Sequence, residues 1–173
     1  MNTPTVREVG PEDEHEVAEV DRLATDSLRE VYRPTDLAIR LRTAIVPKLR
    51  RLVAVLEGRV VGIVQFHISE DHLFFLGLGV HPRFRRRGVA RALIGQLETI
   101  GRNRGCTAVI LHTVRETGNV DVFQRLGFLV ESEELTTLFE SDRFSALSEV
   151  VMKKDLAREN QRAIREEVDR KTS

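Results

Sequence analysis

Tryptophan is absent from this 173-residue chain, tyrosine and cysteine occur once each, and aromatic residues make up only 5%. Each shortage excludes something. A lone cysteine, Cys106, rules out an intramolecular disulfide framework and the paired-cysteine spacing of a zinc site, and no metal site is expected. Cys106 reads as a small apolar residue at the start of a strand, with no activating partner in the sequence. Few aromatic rings leave little for stacking nucleic-acid bases. The 27 basic residues are matched by 27 acidic ones, so there is no broadly basic surface for nucleic acid or anionic lipid. No apolar run approaches a membrane span. The opening stretch MNTPTVREVGPEDE is polar and acidic, unlike a signal peptide. The expectation is a cytoplasmic protein, monomer or homodimer, with neither nucleic acid nor membrane as partner. Two phosphate-binding patterns are also missing: Gly-x-x-x-x-Gly-Lys-Ser/Thr, and Gly-x-Gly-x-x-Gly opening a helix.

What is present gathers between His72 and Arg104. The run His72–Val80, HLFFLGLGV, is apolar and short, which suits a central strand covered on both faces. Val89, Leu93, Leu97 and Ile100 then recur about one helical turn apart, the core stripe of an amphipathic helix. Arg102 and Arg104 suit its C-terminus, and Gly105 suits the residue that ends it. Between strand and helix lies a turn with five arginines in nine residues: Arg83, Arg85, Arg86, Arg87 and Arg91. No acid occurs between Asp71 and Glu98 to neutralise them. Gly88 falls where the helix begins. Unpaired N–H groups and the positive end of the helix dipole attract phosphate there, and a missing Cβ lets an anion reach the backbone. Without further information the same residues also fit a solvated basic turn.

The length suits one domain with one core, and 41% of residues are hydrophobic. Thr5–Val9 reads as a short strand. Gly10-Pro11 and three acids open a helix striped by Val17, Val20, Ala24 and Leu28. Leu37, Leu41, Ala44 and Ile45 suggest a second helix, ending before Pro47. Leu52–Leu56 and Val60–Ile68 around Glu57-Gly58-Arg59 read as a hairpin. Gly77 and Gly79, two apart, are expected to clear one face of the His72–Val80 strand for a ligand or another backbone, with a bulge or a tight packing contact as the competing reading. Thr107–Val114 is a further strand, Glu116–Leu126 a short helix, and Leu129–Phe139 and Leu147–Met152 the last two strands. The tail beyond Asp155 is mostly charged, with pairs such as Arg162/Glu166 that support a solvated helix or tail.

Leu78-x-Val80-x-Pro82 followed by Arg85-x-x-Gly88-x-Ala90 resembles the acetyl-CoA signature of the GNAT N-acetyltransferase superfamily. Downstream, Phe123-Gln-Arg-Leu126-Gly127-Phe128 resembles that family's Tyr-x-x-x-Gly-Phe. The resemblance runs from roughly Val6 to Leu156. It implies an α/β fold with a mixed, strongly twisted central sheet and helices on both faces, in a domain of residues 1–156, with 157–173 as the charged C-terminal helix or tail. It implies acetyl-CoA as co-substrate, held by Leu78, Gly79, Val80, Arg85, Arg86, Arg87, Gly88, Val89, Ala90, Arg91, Asn119 and Phe123. It implies transfer of the acetyl group, by direct attack in a ternary complex, to a primary amine on a small molecule, a peptide N-terminus or a lysine. The first two helices and their joining loop form one wall of the acceptor site in such proteins. Backbone N–H groups around Leu78 to Val80, Val80 above all, serve as the oxyanion contact.

The chain departs from the family pattern at the acid. Family members often protonate the departing thiolate with a tyrosine, and Phe123 stands at that position without a proton to give. Glu116 stands where an asparagine is common, and Asn119 is about one helical turn out of step. The thiolate is a tolerable leaving group unaided, since a thiol's pKa is near ~8.5. An alkylamine, with a pKa near ~10.4, is neutral in about one molecule per thousand or fewer at pH 7, so a base matters more. His67, Glu70, His72 and His112 are candidates, and His112 is preferred because it lies beside the expected parting of the strands. A structural histidine is the competing reading of it. Glu131, Glu133 and Glu134 either attract a cationic acceptor or form a solvated strand edge. The missing tyrosine keeps open a second reading, a non-catalytic acetyl-CoA-binding sensor or assembly module.

Overall fold

Apolar residues alternate or run together along most strands, and what covers each face decides where they point. The computed structural model describes residues 3–45 and 49–156. In chain order these form β1 (Thr5–Glu8), a 3₁₀ turn at Pro11–Asp13, α1 (Glu14–Arg29), β2 (Arg33–Pro34), α2 (Asp36–Ile45), β3 (Arg50–Leu56), β4 (Arg59–Ser69) and β5 (His72–Val80). Then come α3 (Val89–Asn103), β6 (Ala108–Val114), α4 (Asn119–Arg125), β7 (Leu129–Thr136), β8 (Phe139–Glu140) and β9 (Leu147–Asp155). The tail read as a charged helix, 157–173, lies outside the described residues.

Seven strands make one sheet in the order β1-β3-β4-β5-β6-β9-β7, and β2 pairs with β8 apart from it. Every neighbouring pair is antiparallel except β5 and β6. That parallel pair needs a crossover, and α3 is the crossover. The expected mixed sheet with helices on both faces is therefore what forms. α3 and α4 cover one face around Leu52, Phe66, Leu73, Phe75, Leu93, Leu97, Leu111, Phe128 and Met152. α1 covers the other through Val17 and Val20, packed against Val53, Val60 and Ile63. Burying each such side chain contributes roughly 1.5–3 kcal/mol, so the two clusters supply most of the drive to fold.

The stripe expected for α3 is the observed one: Val89, Leu93 and Leu97 are buried, with Ile94 beside them. Gly105 takes the left-handed conformation (φ 73°) just past the helix end, as the sequence suggests. Cys106 is buried in the main core, and burial pushes its thiol pKa up. Asp13 does more than favour the helix dipole. It is 4% exposed, accepts two hydrogen bonds from Arg7 (2.5 and 2.8 Å) and one from the Gly10 N–H (2.7 Å), and so ties β1 to the start of α1. The Arg7 guanidinium holds its carboxyl below the ordinary range.

Three expectations need correction. Gly77 and Gly79 do not clear a common face. Gln65 pairs with Leu76 and Ile63 with Gly79, so β5 carries one residue too many and bulges around Gly77 and Leu78. Gly77 takes φ 61° in that bulge, and only Gly79 marks a close approach, since a Cβ there would lie 3.0 Å from Ala24 of α1. Glu116–Leu126 is not one helix, because Gly118 (φ 75°) separates a 3₁₀ turn at Arg115–Thr117 from α4. Leu129–Phe139 is not one strand either. β7 stops at Thr136, and Phe139–Glu140 turns away to pair with Arg33–Pro34.

Candidate active site

The pairing of β5 with β6 runs only from His72↔Ala108 to Phe75↔Leu111. Beyond it β5 stays on β4, to Gly62↔Val80, while β6 stays on β9, to Val114↔Glu149. A gap therefore opens between Leu76–Val80 on one side and His112–Val114 on the other. The bulge drives the parting, since an extra residue bends and twists the strand that carries it. Successive N–H groups of a strand point to alternate sides. His81 donates to the Val61 carbonyl on the β4 side (2.9 Å), so the N–H of Val80 points into the gap. It is the donor an oxyanion in the gap would meet. The side chains of Leu78 and Val80 are turned to the main core.

The arginine turn closes the end of β5. His81 Nδ1 accepts from the Arg83 N–H (3.2 Å), which sets the 3₁₀ turn Pro82–Phe84. Arg86 (φ 61°) and Gly88 (φ 79°) both adopt left-handed backbone, and α3 starts at Val89. A Cβ at Gly88 would meet nothing within 4 Å, so the approach to the first amides of α3 is open. Arg83, Arg85, Arg86, Arg87 and Arg91 are all exposed. Arg85 reaches Ser27 Oγ of α1 (3.4 Å). Arg87 is held by Glu57 of the β3–β4 turn (2.7 Å) and lies over the Phe84 ring (5.2 Å). Open amides, a helix dipole and four further arginines fit the pyrophosphate of a nucleotide cofactor such as coenzyme A. Val89 is buried against Gly62, where a Cβ would come within 2.5 Å, so Gly62 lets α3 lie close on β4. The sequence reading missed Gly62, whose signal is a glycine inside an otherwise apolar strand. Ala90 follows Val89 in the first turn, half-buried.

Phe123 faces the closed part of the cleft from the α4 side. Its ring is 9% exposed and meets Phe75 (5.9 Å) and Phe128 (6.0 Å) edge-on. Phe75 is the last β5 residue paired with β6, so Phe123 sits where the strands part. Gly127 takes φ 93° under the Lys154 side chain, and this turn delivers Phe128 into the core. Glu116, at the family's asparagine position, accepts from the Ser148 N–H (3.2 Å) instead of facing the gap. Asn119 is half-buried at the start of α4, its N–H donating to Thr117 Oγ1 (3.2 Å).

Of the four base candidates, the structure brings only His112 past the end of the β5–β6 ladder. His72 and Glu70 lie at the other end of β5, and His67 packs edge-on to Phe74 within the paired part. His112 lies on the α1 face of the sheet, opposite to Phe123. Its side chain is 52% exposed, and its Nδ1 is 3.1 Å from Glu149 Oε1. It is not a buried structural histidine. Of the β7 acids, Glu133 pairs with Arg115 and Glu131 with Lys153 (3.5 Å), along a strand that is exposed over nearly its whole length.

Over the same face the segment after α1 meets the loop before β9. Thr35 donates through its N–H to the Leu138 carbonyl (2.9 Å) and through Oγ1 to the same atom (3.0 Å). Ser141 donates to the Val31 carbonyl (2.5 Å). Arg33 grips Asp142 with both terminal nitrogens (2.7 and 3.1 Å) and Glu140 through Nε (2.7 Å). Tyr32 meets Phe139 edge-on at 4.9 Å, and burial pushes its hydroxyl pKa up. Ala24 and Ser27 put the end of α1 beside Gly79 and Arg85, while β9 starts beside the end of β6. This clasp therefore joins the two sides of the gap.

Among the described residues no helix is long and apolar enough to cross a membrane, and no cluster of ligating side chains could hold a metal. Solved structures that resemble the chain share its fold at low identity. The ribosomal-protein-S18-alanine N-acetyltransferase of Escherichia coli matches with a TM-score of 0.69 and 14% identity, over 89% of this chain and 94% of its own. The PaiA N-acetyltransferase of Thermoplasma acidophilum, in complex with coenzyme A, matches at 0.67 and 17%, over 89% and 99%. An aminoglycoside 6'-N-acetyltransferase complexed with coenzyme A matches at 0.65 and 14%, over 88% and 97%. The family model described as "Acetyltransferase (GNAT) family" matches residues 17–128, from α1 through the arginine turn to Phe128. With that match over the larger part of its length, the chain belongs to the GNAT acetyltransferase family, whose acyl donor is acetyl-CoA.

Proposed function

We propose that residues 1–156 form an acetyl-CoA-dependent N-acetyltransferase domain that moves an acetyl group to a primary amine by direct attack in a ternary complex. The observation that carries this reading is the parting of β5 from β6 immediately after Phe75↔Leu111, with the arginine turn at its mouth. Acetyl-CoA supplies an acyl carbonyl activated as a thioester. Gly88, Val89, Ala90 and the amides of that turn hold the phosphates, with Arg83, Arg85, Arg86 and Arg91 as charged neighbours and Arg87 braced by Glu57. Gly79, Leu78 and Val80 line the gap, and the N–H of Val80 stabilises the oxyanion. Asn119 and Phe123 border the gap from α4. His112 takes the proton from the ammonium form of the acceptor. Direct attack suits a site whose only thiol, Cys106, is buried with a raised pKa and has no access to the acyl group.

The acceptor is a small amine, a peptide N-terminus or a lysine. Mixing the protein with acetyl-CoA and a panel of these amines tests the reading through free coenzyme A. Amine-dependent release supports it; tight acetyl-CoA binding with no release supports the second reading, a binding module in the cytoplasm. Phe123 favours that second reading, because the buried ring offers no proton.

A further inference from the structure

We propose that Glu149 is the positioning residue of a His112–Glu149 dyad that removes the proton from the acceptor. The inference deepens the transferase reading and rests on it. In a neutral imidazole one nitrogen donates and the other accepts, and the partner of one decides the role of the other. Glu149 Oε1 lies 3.1 Å from His112 Nδ1, and an ionised carboxylate accepts only. The proton is thereby placed on Nδ1, and Nε2 keeps its lone pair for the ammonium. His112 is opposite Val151 on β9, so Glu149 reaches it diagonally on the same face, the usual separation of such neighbours across a sheet.

Three observations favour a role in chemistry. The pair stands at the first β6 residue past the end of the β5–β6 ladder, which is where the reaction must occur on the reading above. His112 is the only titratable side chain of β6. An ion pair this exposed contributes little to stability. The titratable groups sharing the face are Glu149, Lys153 and Asp155 from β9, Glu134 from β7 with Glu131 beside Lys153, His67 from β4 and His72 from β5; nearest the gap β5 contributes Phe74 and Leu76. Glu134 is the register partner of Glu149, so two carboxylates meet an incoming cation.

The balance of the step is simple. One ammonium proton passes to Nε2, and the amine nitrogen bonds to the thioester carbonyl carbon as the C–S bond breaks. Its electron pair leaves on sulfur, the second nitrogen proton goes to that thiolate, and the imidazolium returns its proton to water. Glu149 accepts from Nδ1 throughout and holds the imidazole in place.

The test is kcat and KM for one reactive amine across a range of pH, in the full-length protein, for H112A, E149Q, E149A and E149D. Melting and acetyl-CoA titration control for folding. H112A is expected to lose about 100-fold at pH 7, with the loss shrinking as pH rises toward the amine's own pKa. E149Q keeps an acceptor for Nδ1 but removes the charge. It should lose about tenfold in kcat with the KM for the amine little changed. E149A should lose more, and E149D should recover part of the loss. H112A with wild-type activity at pH 7 would overturn the base assignment itself. A damaged H112A beside an E149Q with wild-type kcat would leave the base in place and overturn the role of Glu149.

Discussion

The arginine turn and the clasp flank the same gap and are made in opposite ways. The turn is seven consecutive residues, Pro82–Gly88, and its geometry comes from local contacts such as His81 Nδ1 to the Arg83 N–H. The clasp joins residues about 110 positions apart, as in Ser141 to Val31, through hydrogen bonds and the grip of Arg33 on Asp142 and Glu140. The turn presents backbone amides and positive charge, which suit an invariant cofactor. The clasp presents side chains, on the face where the proposed acceptor would enter. Damage to the turn should remove binding outright, whereas damage to the clasp should only retune the acceptor.

Gly88→Glu gives the largest effect expected. It puts a Cβ on a residue at φ 79° and a negative charge at the proposed phosphate site. Calorimetry should find acetyl-CoA binding lost from a starting affinity in the micromolar range, about −8 kcal/mol. Gly88→Ala separates the causes. Space there is open, so only the backbone strain remains, about 1–2 kcal/mol, and binding should weaken without vanishing.

The next effect lies in stability, at the start of α1. Asp13 has a lowered pKa in the folded protein, so its contribution is complete above the unfolded value near ~3.9 and is lost as pH falls through the folded one. Asp13→Asn should lower the melting temperature by several degrees at pH 7, and the gap between variant and wild type should close on acidification. A gap independent of pH would show that the Arg7 contact is not what Asp13 contributes.

Phe123→Tyr is a smaller perturbation, because it adds one oxygen to a ring that keeps 9% of its surface open. A thiolate leaves without much help, so the gain in transfer rate should be at most about tenfold, with cofactor affinity unchanged. A gain of about 100-fold would mean that proton delivery limits the natural protein. The smallest effect is expected from Arg33→Ala in the clasp. Its partners are exposed, so melting should barely move. The KM for the acceptor should rise a few-fold while acetyl-CoA binding stays the same, and a change in acetyl-CoA binding instead would place the clasp on the cofactor side.

The same comparison explains what was legible in the sequence. Strand, arginine turn and α3 are contiguous, so periodicity and Gly88 made that strand–turn–helix legible directly, and the two family motifs made the family legible. The bulge was legible only as one of two readings of Gly77 and Gly79, because the pair fits clean alternation equally well until the register with Gln65 and Ile63 is known. Gly118 hid inside a helical pattern in the same way. Glu149 and the clasp left no local signal at all, since their meaning lies in partners that only the fold brings near. His112 was the exception. Its place near the end of a strand beside the expected parting was enough to single it out, though not to name its partner.

Initial rates measured over a matrix of acetyl-CoA and acceptor concentrations test the central claim, direct transfer in a ternary complex, most directly. The account predicts double-reciprocal lines that intersect, because both substrates must be bound before the acetyl group moves. Parallel lines would contradict it, since they would require a covalent acetyl-protein, and the one thiol, Cys106, is buried.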